Sequence, residues 1–256
     1  MSLDALNRLM ADAHLSDLPG LIEQALRVDD DVHAVFELLD RLRDSRPMQR
    51  CLAVLQTDPE AMALIRRREL LPRLSFAELL AKPKGSLGHT YGALLQALGY
   101  DPDFYVGPEA FNNLATDADY VNYRSLATHD LHHVLTGFNF GFSGEMGVLS
   151  VSMAQMGAPG FAFIGLVTLL STWLSAETHY SQITDDRERI NAVRYKLELI
   201  QRGLAMGDAA MPLFALDWPA LLDRDLEELR RELRVEPVRE GLPSWYARPE
   251  LMAALA

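Results

Sequence analysis

The sequence predicts an all-α fold. Three observations carry this. Apolar residues recur at helical spacing in several windows, no run of five or more residues alternates as a half-buried strand does, and capping and stop residues flank the periodic runs. Val32, Val35, Phe36, Leu39 and Leu42 follow 3-4-3 spacing after Asp30 and Asp31, a cap of short carboxylates. Ile190, Val193, Leu197, Ile200 and Leu204 repeat the pattern, opened by Thr184 and closed by Gly203 or Gly207. The stretch Asp225 to Val235 reads as a surface helix whose Glu227–Arg231 pair contributes only about 0.3 kcal/mol.

Turn-rich boundaries fall at Lys82–Ser86 and Gly99–Glu109. Residues 1–80 read as an N-terminal helical cap on the rest. Nothing in the chain resembles a linker, so residues 1–256 are expected to form one domain. Met146 to Ala176 carries no Asp, Glu, Lys or Arg, and its core Pro159–Ala176 is 18 residues, a helix of roughly 27 Å. Three readings stand for it: a central core helix, a helix that also lines a lipid-sized cavity, dimer interface or membrane-contact face, and a spanning segment. The missing basic flanks and a polar stripe of Ser171, Thr172 and Ser175 speak against spanning.

Composition excludes several classes. The 256 residues are 49% hydrophobic and 23% charged, the balance of a folded protein. Cys51 is the only cysteine, so no disulfide scaffold forms. A net charge of −12 repels phosphate backbones, and no nucleic-acid partner is expected. The start, MSLDALNRLM, is neither a secretory signal nor an Arg-rich transit peptide. The expectation is a reducing compartment, the cytoplasm, with peripheral contact at the inner face of the cytoplasmic membrane.

Chemistry concentrates in THDLHHVLTGFNFGFSGE. His129 and His133 stand about 40° apart on a helix, one turn along its axis, with Asp130 on the same side. The helix should end near Gly137, and Gly141 and Gly144 allow a tight loop. Ser143 then caps a second helix with Glu145 in its first turn, where a carboxylate suits the helix dipole. Folded back, Glu145 meets His129, Asp130 and His133 in a two-histidine, two-carboxylate site. Two carboxylates beside the most apolar stretch of the chain need a cation, and these ligands suit zinc, iron or manganese over calcium. The alternative is a histidine-rich helix end hydrogen-bonded to carboxylates. His132 points about 60° away from His129, as an outer partner of the site or an ordinary packed histidine.

Other metal patterns fit less well. In a zincin H-E-x-x-H, Glu stands where this chain has Asp130, whose shorter side chain does not reach the same water. A di-iron bundle needs a second E-x-x-H, but Glu145 is followed by Val148 at that spacing. An HD-type phosphohydrolase needs an upstream His and a downstream Asp. His89 and Asp185 sit in no ligand-like context.

At these residues the chain resembles the ubiquinone (coenzyme Q) biosynthesis Coq-four family, whose signature is HD-x-x-H, eleven residues, then E. Here that is His129, Asp130, His133 and Glu145, with no gap. The segment SLGHTYGALLQALG from Ser86 to Gly99 with its D-P-D turn, Asn122-Tyr123-Arg124, and Gly203 to Leu233 extend the resemblance over about residues 85–237. The resemblance implies an all-helical homodimer in peripheral membrane contact, with other ubiquinone biosynthesis proteins as partners. It implies one divalent metal ion, zinc or iron, on His129, Asp130, His133 and Glu145, and a polyprenylated quinone precursor in an apolar cavity. The implied activity is oxidative decarboxylation, the ring carboxylate replaced by hydroxyl. Rival readings are a non-catalytic polyprenyl-lipid-binding scaffold with a structural metal, and a helical metallohydrolase.

Several residues carry two readings each. Arg124 pairs with a substrate carboxylate or with a surface acid. His179 is a boundary histidine or a ligand. Arg66, Arg67 and Arg68 form a solvated helix face or a lipid head-group contact. Phe138, Phe140 and Phe142 pack around the metal site, gate the cavity, or dip into a bilayer.

Overall fold

The structure, a computed structural model, describes every residue except 1, 16, 29, 30, 32, 108–110, 112, 113 and 175–191, and all side chains in that set except those of residues 3 and 6. Asp30, Val32, Ser175, His179, Thr184, Asp185 and Ile190 therefore lie outside the described residues. The fold is all-α. The helices are α1 Leu3–Asp12, α2 Leu18–Arg27, α3 His33–Leu42, α4 Arg46–Leu55, α5 Pro59–Arg67, α6 Phe76–Leu80, α7 Leu87–Leu98 and α8 Asp117–Ala127. They continue with α9 His129–Thr136, α10 Phe142–Met156, α11 Pro159–Leu174, α12 Ala192–Ala209, α13 Trp218–Leu221, α14 Leu226–Leu233 and α15 Pro249–Ala254. Among the described residues the only β-type pairings are the isolated bridges Ser86 to Asp225 and Phe138 to Ser244.

Short polar side chains start the helices by accepting orphan N–H groups. Ser45, Asp58, Ser86 and Asp225 do so, and Ser75 with Glu78 and Thr116 with Asp119 close reciprocal capping boxes. Asp31 accepts from the His33 N–H at 3.0 Å, as the sequence leads one to expect. Gly203 and Gly207 do not end a helix, because α12 runs through both. α14 is not a plain surface helix either. Leu226, Leu229, Arg230 and Leu233 are buried, and Glu227 pairs with Arg230 at 2.6 Å rather than with Arg231.

Two apolar clusters meet at α10. Its Leu149 and Met156 join α2–α5, α8 and α11, while Val148 and Val151 join α7, α9 and the C-terminal helices. α10 and α12 lie side by side in the same direction, with Gly203 against the Gly147 backbone and Gly207 against Val151 and Ala154. No Cβ fits at Gly203 without moving backbone. Gly203→Ala is expected to cost about 1–3 kcal/mol by overpacking, read as a lower denaturant midpoint at unchanged slope.

Cys51 is fully buried in the first cluster, and burial pushes its thiol pKa up to about 12. The thiolate is the nucleophile. Iodoacetamide at pH 8.5 is therefore expected to leave Cys51 unlabelled until denaturant is added, as intact mass reads directly.

Candidate metal centre

α8 and α9 are separated by Thr128 alone, so the helix carrying the histidines starts from a fixed, fully buried partner. α9 ends where Gly137 takes a left-handed conformation, φ +79°. The α9–α10 loop is tight because Gly144 lies directly on the Asn139 backbone, where a Cβ would collide with its carbonyl. Gly141, not Ser143, is the N-cap of α10, and Asn139 Oδ1 accepts its N–H at 2.8 Å. Ser143 falls inside the first turn because the chain already enters the helix at Gly141, whose N–H the Asn139 side chain holds.

The hairpin brings His129, His133 and Glu145 together. The two Nε2 atoms stand 3.1 Å apart, and Glu145 lies 2.9 Å from His129 Nε2 and 3.1 Å from His133 Nε2. His133 Nδ1 faces the Phe138 carbonyl at 3.3 Å. Only a protonated Nδ1 donates to a carbonyl, so the Nε2 lone pair of neutral His133 faces the other two groups. Lone pairs and a carboxylate at such separations repel unless a proton on one imidazole or a metal cation stands among them. A divalent metal fits this donor set on those grounds.

Charge follows the same geometry. Burial disfavours protonated His129, but the Glu145 carboxylate outweighs it and the pKa lies above the usual histidine value. Burial also works against the Glu145 anion, and the charges of His133 and His129 overcome it, holding Glu145 below the carboxylate range. Asp130 lines the same cavity but is not in the three-donor group. Burial raises its pKa, against the pull of His129 and His133. His132 packs on Trp218, 5.4 Å between ring centroids, and burial pushes its pKa down to about 3. It is a packed neutral histidine.

His129 and Glu145 open onto a cavity of about 660 Å³, while His133 beside them is fully buried. Phe161, Ile164 and Thr168 of α11, Leu126 of α8 and Leu149 of α10 supply much of its wall. α11 therefore lines a cavity on one face, while Leu166, Leu170, Trp173 and Leu174 are exposed on the other. No described helix is long and apolar enough to cross a membrane, and Thr172 is buried rather than part of a wet stripe. Phe140 stacks on His133, 4.6 Å between centroids, and Phe142 borders the cavity, while Phe138 packs against Gly147.

Sequence reasoning missed part of the wall. Val28 and Val35 reach the cavity from the N-terminal helices, and Tyr100 and Tyr105 from the Gly99–Glu109 turn, read above only as a boundary. Burial raises both phenol pKa values, aided by Asp130 and Glu145, so both stay protonated donors. The tyrosines in that turn were the available signal. Arg124 is placed elsewhere. Its Nε and Nη2 each donate at 2.6 Å to the carbonyls of Phe214 and Leu216, and the cavity does not include it. The arginine run is no uniform face, since Arg68 turns inward to Asp117 at 2.6 Å and Arg67 pairs with Glu69.

The chain is 29% identical over 182 residues, 70% of its length and 52% of theirs, to ubiquinone biosynthesis protein COQ4, mitochondrial, of Clavispora lusitaniae. It is 30% identical over 168 residues to the protein of that name from Eremothecium gossypii, covering 65% of this chain and 47% of the other. The chain thus spans about half the length of these curated relatives. A crystal structure of a Nostoc punctiforme PCC 73102 protein shares the fold, with TM-score 0.70 and 24% identity over 84% of this chain and 95% of that one. The relatives' names place them in mitochondria, which overturns the expected cytoplasmic location at the cytoplasmic membrane. Charge and cysteine content could not have decided this, because a helical domain of this kind suits either compartment. The sequence model for coenzyme Q (ubiquinone) biosynthesis protein Coq4 matches residues 43–239, which include the motif and the cavity wall apart from Val28 and Val35, and the chain belongs to that family.

Proposed function

We propose that the chain is a metal-dependent enzyme of ubiquinone biosynthesis that replaces the ring carboxylate of a polyprenylated benzoate-type precursor by hydroxyl. The observation that carries this reading is the convergence of His129, His133 and Glu145, two of which line an apolar cavity. His129, His133 and Glu145 hold one divalent ion, with Asp130 on the same wall as the fourth ligand. When bound, the ion supplies Lewis acidity to a ring oxygen or carboxylate and, as iron, one-electron chemistry.

The chain's own residues do the rest. The apolar wall takes the polyprenyl tail and excludes water from the head group. Tyr100 and Tyr105 present phenol donors to oxygen substituents of the ring. The ring–carboxylate bond breaks as carbon dioxide leaves, one oxygen atom of dioxygen enters as the ring hydroxyl, and the other leaves as water with two electrons from a reductant and protons from solvent. Exposed Leu166, Leu170, Trp173 and Leu174 support peripheral membrane contact or a homodimer face.

The test uses a short-chain prenylated hydroxybenzoate labelled at the carboxyl carbon, with metal-loaded protein, dioxygen and a reductant. Labelled carbon dioxide and a hydroxylated ring are expected in equal amounts. Native mass spectrometry showing bound metal and lipid without turnover would instead favour a lipid-binding scaffold.

A further inference from the structure

The last carbonyls of an α-helix have no intrahelical donor. In α9 they are taken up from residues 230–245, a stretch remote in sequence. Trp245 Nε1–H donates at 3.1 Å to the His133 carbonyl, which also accepts the Gly137 N–H of the C-cap at 3.0 Å. Arg230 donates to Val134 at 2.7 Å and to Leu135 at 2.8 Å. The Val238 N–H donates to Thr136 at 2.8 Å, and the Trp245 N–H to Gly137 at 3.1 Å.

The same stretch holds the loop to α10. The Asn139 N–H donates to the Pro243 carbonyl at 2.7 Å, its side-chain amide donates to Leu242, and Phe138 bridges to Ser244. Phe138 supplies the carbonyl that orients the His133 ring, and the Asn139 side chain accepts the N–H of Gly141, the N-cap of the helix bearing Glu145. Trp245 and Arg230 are 1% and 2% exposed, and the Tyr246 hydroxyl contacts the Arg230 guanidinium. The family match ends at residue 239, so Trp245 lies beyond it.

We infer that the Arg230–Tyr246 strap is the outer half of the metal centre, with Trp245 and Arg230 as positioning residues that hold His133 in place for a divalent cation. A helix end with its carbonyls fixed from outside cannot rotate or fray, so the imidazole stays aimed at the donor triangle without cost at the moment of binding. The inference rests on the metal-site reading, and its test separates the two.

The full-length chain is titrated with Co²⁺, following affinity and the visible spectrum of the bound ion, with circular dichroism alongside. Trp245→Phe keeps an aromatic ring, smaller than the indole, and removes the donor. It is expected to weaken Co²⁺ binding about 10-fold to 100-fold and to shift the spectrum, with the helical signal intact. Trp218→Phe, at an equally buried site outside the strap, is expected to change neither. If Trp245→Phe does not fold, Tyr246→Phe, which removes only the hydroxyl on Arg230, is expected to weaken binding about 10-fold. A strap that merely stabilises the fold would lower the melting temperature and leave affinity and spectrum at wild-type values in the folded variant, and that result overturns the inference. A wild-type chain that binds no Co²⁺ overturns the metal reading and the inference with it.

Discussion

His133→Ala is expected to bind no stoichiometric metal and to support no head-group conversion while keeping its helical circular-dichroism signal. His133 is the most enclosed of the three donors, fully buried between Phe140 and His129. Loss of an outer partner of a metal ligand already costs about 10-fold to 100-fold in affinity, and loss of the ligand itself is expected to exceed that. The fold should survive. The lost imidazole leaves a cavity worth about 2–3 kcal/mol, and removing one lone pair relieves the crowding described above. His132→Ala is the matched control. Its ring faces Trp218 and takes no part in the donor triangle, so that variant is expected to lose stability and keep its metal. Elemental analysis of both purified proteins decides the matter. Full metal content in His133→Ala would sink the assignment.

How far the sequence shows the site depends on how local the geometry is. His129, His133 and Glu145 were legible because helical spacing and one glycine-ended hairpin suffice to bring them together. The all-α class was legible for the same reason, since 3.6-residue periodicity is a local property. Gly203 and Gly207 were misread because a glycine that ends a helix and one that lets two helices touch look alike until the neighbour, α10, is known. The role of the arginine on α14 was not legible because, besides Glu227 and Tyr246, it donates to backbone carbonyls about 95 positions away, which carry no residue identity. Val28 and Val35 had ordinary apolar patterning, and only packing across α11 turns them into a cavity wall.

Arg124 is where a functional and a structural reading part most clearly. A substrate-binding arginine replaced by methionine raises KM for a carboxylate substrate and leaves the melting temperature alone. The structure predicts the opposite. The Arg124 guanidinium is 2% exposed and gives two short, charge-assisted bonds to the Phe214 and Leu216 carbonyls, clamping the turn after α12 onto α8. Arg124→Met keeps the aliphatic length and orphans both acceptors, each costing about 1–3 kcal/mol. The sum, about 2–6 kcal/mol, corresponds to a melting temperature lower by roughly 4–12 °C for a chain of this size. Arg124→Lys should recover part of it, since an ammonium reaches one carbonyl but cannot span two as the fork does. An unchanged melting temperature in Arg124→Met with a raised KM would return Arg124 to the substrate. The expected drop, with near-normal KM in the folded fraction, leaves recognition of the substrate carboxylate to the groups that line the cavity, Tyr100 and Tyr105 among them.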